Sequence, residues 1–170
     1  MNRFKICLVA LAAAVLSGCG AGQVSQMATQ QPAINGNAVT VKNVALRDIR
    51  IQATQKGDSV PPGQTVDLVA VAVNQSPDQP DRLVGITSDI GTVTVNGDGR
   101  VPAAGTLFIG TPEGQKVAPG PTSNAVKATV NLSKPISNGL TYTFTFNFEK
   151  AGQATVQVPI TAGLPQSEQT

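Results

Sequence analysis

Residues 141–149, "TYTFTFNFE", alternate strictly between ring and polar side chains. Tyr142, Phe144, Phe146 and Phe148 fall on one side; Thr141, Thr143, Thr145 and Asn147 fall on the other. Period two in an extended chain sends alternate side chains to opposite faces, so the pattern predicts a strand with four rings in one core. A short "KAGQ" turn leads into "ATVQVPI", where Val156, Val158 and Ile160 repeat the alternation, and the two segments read as a hairpin. Pro159 offers no N–H, which places an edge or an end there. Upstream, "VTVKNVALRDIRIQA" (39–53) alternates in two pieces. "TVDLVAVAVN" (65–74) is a nearly continuous apolar run, as a central strand covered on both faces would be. Strands are also predicted at 82–88, 91–96 and 124–132, with weaker signals at 105–110 and 115–120. Turn residues recur between them: Pro61-Pro62-Gly63, Pro77–Pro80, Asn96–Gly99, Thr111–Gly114, Pro119–Pro121 and Asn138-Gly139. About seven to nine short strands with such punctuation predict an all-β fold, a Greek-key β-sandwich. No useful amphipathic helix pattern follows Cys19.

The first residues have a different logic. Arg3 and Lys5 precede an apolar run, Ile6–Leu16, that is far shorter than the roughly 20 residues a membrane span requires. The length suits the core of a signal peptide. It ends in Leu16-Ser17-Gly18-Cys19, which resembles the lipobox of bacterial lipoproteins. That resemblance implies cleavage before Cys19, then S-diacylglycerol and N-acyl groups on Cys19. The expected organisation is therefore a signal peptide (1–18), a flexible uncharged tether (19–38), a sandwich (39–162) and a disordered tail (163–170). The tether would span roughly 25 Å. The expected location is the outer, extracytoplasmic face of the cell membrane, with the membrane itself as a partner through the lipid.

Charge excludes some function classes. The chain holds twelve basic and ten acidic residues, and two of the basic ones lie in the leader, so the remainder balances ten against ten. The basic residues are scattered, which argues against nucleic acid as a partner. Cys7 would leave with the leader and Cys19 would be acylated, so no disulfide is expected. Histidine is absent, which removes the commonest catalytic base, and the chain has no usable thiol nucleophile. No segment resembles a Ser-x-x-Lys helix or a nucleophile elbow. No enzyme activity and no cofactor are expected. Asp89, Asn96 and Asp98 lack the spacing and closing Glu of a calcium loop and read as turn residues.

Two longer stretches carry a family resemblance. "DRLVGITSDIGTVTV" (81–95) and "LSKPISNGLTYTFTFNFEKAGQATVQVPI" (132–160) resemble the periplasmic copper chaperones called PCu(A)C, with this chain as a divergent mycobacterial lipoprotein branch. The match runs over roughly residues 45–160 and implies a cupredoxin-like, immunoglobulin-like sandwich. It also implies a Cu(I) site built from His and Met, the soft ligands that ion takes. By position, the family's ligands fall on Asn96, Leu107, Val126 and Ala128, so no metal site is expected. The reading is a non-catalytic envelope lipoprotein, a binding or accessory module for an unidentified envelope protein or ligand. The alternative is copper handling in which a partner supplies some ligands. Loops near 75–80, 97–104 and 111–123 are the candidate interaction surfaces. Arg82 is expected to pair with Asp81 or Glu149.

Overall fold

In the computed structural model the described residues are 37–53, 57–112, 116 and 118–162. The expected leader, Cys19, most of the tether and the expected tail lie outside them. Among the described residues the chain forms twelve strands and no helix. They are β1 (Asn37–Val41), β2 (Val44–Ala53), β3 (Ser59–Val60), β4 (Thr65–Asn74), β5 (Asp81–Ser88) and β6 (Gly91–Asn96), followed by β7 (Arg100–Val101), β8 (Thr106–Ile109), β9 (Ser123–Leu132), β10 (Ile136–Ser137), β11 (Thr141–Phe148) and β12 (Gly152–Ala162). The first strand starts at Asn37, two residues before the expected boundary. The weak signal at 115–120 gives no strand among its described residues.

Ten of the strands follow the order β6-β9-β8-β4-β2-β12-β11-β5-β7, with β1 beside β2, while β3 and β10 pair as a separate two-stranded sheet. This long sheet curls over itself into a sandwich. One layer holds β6, β9, β8, β4 and β2; the other holds β12, β11, β5 and β7. The apolar run of β4 is central as its composition requires, with β2 on one side and β8 and β9 on the other. The aromatic hairpin forms as the alternation dictates: Phe144 pairs with Val156, Phe146 with Ala154, and Tyr142 with Val158. Phe144 and Phe146 are fully buried and Phe148 nearly so. Each contributes about 1.5–3 kcal/mol by leaving water. Tyr142 stays half-buried, and its hydroxyl accepts the Ser137 N–H at 2.7 Å.

Pro159 marks neither an outer edge nor an end. Its Cα pairs with Thr141 of β11, and from Ile160 onward β12 runs parallel to β2. The missing N–H therefore sits where the strand leaves one neighbour and takes another, and β12 joins the two layers.

Two irregularities explain burial that simple alternation would misplace. In β5, Leu83 pairs with Phe148 and Gly85 with Asn147, which leaves Val84 as an extra residue. This bulge turns Val84 outward, 68% exposed, while both Leu83 and Ile86 reach the core. In β2 the register against β4 shifts between Arg47 and Arg50. Asp48 takes a positive φ of 53° there and forms an ion pair with Arg50.

A close approach between strands fixes Gly110. It follows β8, where β4 leaves β8 and pairs directly with β9. Its φ is +68°, and a Cβ there would stand 2.3 Å from the Leu68 carbonyl oxygen.

Candidate functional site

The four positions on which the resemblance places the copper-chaperone ligands lie on three adjacent strands, β6, β9 and β8. They do not all share a face. Val95 and Ala128 are register partners, as are Asn96 and Lys127. Partners directly opposite one another share a face. Ala128 is fully buried and Val126 is 5% exposed, so both look into the core, as does the fully buried Leu107 of β8. Asn96 and Lys127 are exposed on the other face. Three of the four positions are thus hydrocarbon packed in hydrocarbon, and the fourth is a carboxamide turned to solvent. A surface depression of about 390 Å³ lies beside Val126, bordered by Asp67, Gly110, Thr111 and Lys127. Among the described residues no group of three or more His, Cys, Asp or Glu side chains comes together.

The polar organisation lies elsewhere, at the start of β5. Asp81 is 8% exposed. One carboxylate oxygen accepts N–H bonds from Arg82 at 2.7 Å and Lys150 at 2.9 Å; the other accepts from Ala151 at 2.8 Å. A buried carboxylate with three amide donors is well satisfied without a cation. It clasps "DRLVG" to the β11–β12 turn. The expected partner of Arg82 is corrected accordingly: its guanidinium pairs with Asp98 at 2.6 Å, about half exposed on both sides. Glu149 meets Arg82 only through the backbone, its N–H donating to the Arg82 carbonyl at 2.9 Å. Sequence reading missed this clasp because it joins residues 70 positions apart.

The loop at 75–80 is held tightly. Asn74, 2% exposed, donates to the Gln79 carbonyl at 2.6 Å and accepts the Ser76 N–H at 3.0 Å. The Ser76 hydroxyl donates to Asp78 at 3.1 Å and accepts the Gln79 N–H at 3.2 Å. Ala104 donates to the Ser76 carbonyl at 2.7 Å. This links the 97–104 loop to the 75–80 loop. Asp98 also accepts the Arg100 N–H at 3.3 Å.

The model of the family described as "Putative lipoprotein LpqE-like" matches residues 44–160, from the start of β2 to nearly the end of β12. The lipoprotein LpqE of Mycobacterium bovis is 70% identical over 158 residues, covering 92% of this chain and 87% of the relative. That of Mycobacterium leprae is 61% identical over 178 residues, covering 96% and 97%. The chain belongs to the LpqE-like lipoprotein family. Solved PCuAC domains share the fold of this LpqE-like chain. The apo domain from PmoF1 superposes with a TM-score of 0.56 at 20% identity, covering 74% of this chain and 99% of that one. The copper-bound domain from PmoF2 gives 0.54 at 24% identity, covering 74% and 98%. The LpqE-like match leaves out β1 and starts with β2.

Proposed function

We propose that the chain is held on the outer face of the cell membrane by diacylglycerol and a further acyl group on Cys19, and that its sandwich is a non-catalytic binding or accessory module that carries no copper. The observation that carries the second part is the chemistry at the four inherited positions. Cu(I) takes thiolate, thioether or imidazole. Leu107, Val126 and Ala128 present hydrocarbon inside the core. Asn96 presents an amide on the opposite face. No histidine exists anywhere in the chain, and its two methionines, Met1 and Met27, both precede the sandwich. A copper ion of the kind bound by the PmoF2 domain finds no matching donors here.

Titrating the full-length protein, kept in detergent, with Cu(I) against a competing chelator tests this. The chelator should retain the metal. A one-to-one complex that strips copper from the chelator overturns the reading, and transfer seen only with a partner present shifts it to a shared site. The anchor has its own test. Mass spectrometry should find the acyl groups on Cys19, and Cys19→Ala should abolish acylation and cleavage before residue 19. A processed, membrane-bound Cys19→Ala protein refutes the anchor.

A further inference from the structure

Three polar side chains are buried among the described residues: Asn74, Ser76 and Asp81. All three line one open cavity of about 230 Å³, with Lys42 and Lys150 at its wall. It is built by the β1–β2 turn, the 75–80 loop and the β11–β12 turn. None of its lining residues is one of the four inherited positions. A domain that buries polar groups only for turn geometry can pack them tightly; convergence on an open space is the arrangement of a binding site.

The bonding inventory defines the ligand. An ionised carboxylate accepts about four hydrogen bonds, and Asp81 accepts three, with its remaining capacity on the oxygen that meets only Ala151. The Asn74 amide has two N–H groups and spends one on Gln79. The Ser76 hydroxyl spends its one O–H on Asp78 and accepts the Gln79 N–H, so it has no donor left. Lys42 is fixed in place: its Nζ donates to the Lys150 carbonyl at 2.9 Å, which leaves further N–H groups. Its backbone holds a positive φ of 47°, a conformation that costs a non-glycine residue energy. The cavity therefore offers the Lys42 ammonium, one amide donor and one carboxylate acceptor, with Lys150 at its wall. The Lys42 ammonium, with Lys150 beside it in the wall, disfavours a cation next to a carboxylate already served by three amide donors.

We propose that this cavity binds a small hydroxylated anion, such as a uronate or a glycerol phosphate group, free or displayed on an envelope polymer. The anionic oxygens face Lys42 and Lys150, and a hydroxyl donates to Asp81 while another oxygen takes the Asn74 N–H. The volume would hold about seven or eight waters, room for one such group rather than for a chain. The inference rests on the reading of the chain as a binding module, but its test uses no copper, so the two can fail separately.

The test is an NMR titration of the ¹⁵N-labelled full-length protein in detergent with sodium glucuronate, glycerol 3-phosphate, inorganic phosphate and glycerol. The two hydroxylated anions, or one of them, should give saturable shifts at the Ser76, Lys150 and Ala151 amides, and glycerol should give none. Lys150→Gln and Lys42→Gln leave the Asp81 clasp intact and should each weaken binding about tenfold, the loss of one charge-assisted contact. Equal binding of inorganic phosphate overturns the assignment of a hydroxylated ligand. No saturable shift with any anion, or unchanged affinity in both lysine variants, overturns the site itself.

Discussion

Replacing Asp81 by Asn tests the physical centre of the fold's polar end. The change keeps the shape of the side chain and alters only charge and bonding. In the native chain the carboxylate accepts three backbone N–H bonds, two on one oxygen and one on the other. An amide retains a single acceptor oxygen. Its nitrogen must face an N–H that also donates, whichever way the amide is turned. One charge-assisted bond is lost, worth about 1.5–3 kcal/mol, and a buried N–H is left without an acceptor, costing about 1–3 kcal/mol. These overlap, so Asp81→Asn should destabilise the domain by about 2–4 kcal/mol. For a domain of this size that lowers Tm by roughly 8–16 °C. Urea unfolding followed by circular dichroism should show a lower midpoint with an unchanged slope. Amide exchange at Lys150 and Ala151 should quicken. A loss below about 0.5 kcal/mol, the scale of an ordinary surface change, refutes the argument that the carboxylate clasps the two turns.

Gly110→Ala should cost several kcal/mol or prevent folding, read as a lost or lowered thermal transition, because the added carbon meets the Leu68 carbonyl oxygen at 2.3 Å with φ at +68°. Phe146→Ala should cost about 3–5 kcal/mol in urea unfolding, as removal of a fully buried ring does. Asp98→Ala should change stability by less than about 1 kcal/mol, since the ion pair with Arg82 is solvent-exposed and weakly stabilising.

Much of the architecture is readable because burial and local period agree. "TYTFTFNFE" is such a segment, since every ring that alternation places inward is buried or half-buried there. In "TVDLVAVAVN" the predicted bounds coincide with those of β4. The failures share a cause. Strands β3, β7 and β10 hold two residues each, too few for any periodicity. The bulge at Val84 breaks alternation because the partner strand supplies one residue fewer, a fact written in β11 rather than in β5. Asp81 looks like any surface acid until Lys150 and Ala151 arrive from the far end of the chain. The inherited positions were legible only as residue types. That Asn96 points away from Val126 and Ala128 follows from the β6–β9 register, which no local pattern states.

Among the described residues, the strand that closes the sheet is also the last in chain order. β12 stands between β2 and β11, so the halves on either side have no shared ladder until residues 152–162 emerge. Until then β2 and β11 each lack one ladder partner, and no strand pairing joins the two halves. Each half can pair within itself first, and their union waits on a pairing between residues about 110 positions apart, Ile51 with Ile160, the kind of distant contact that slows folding.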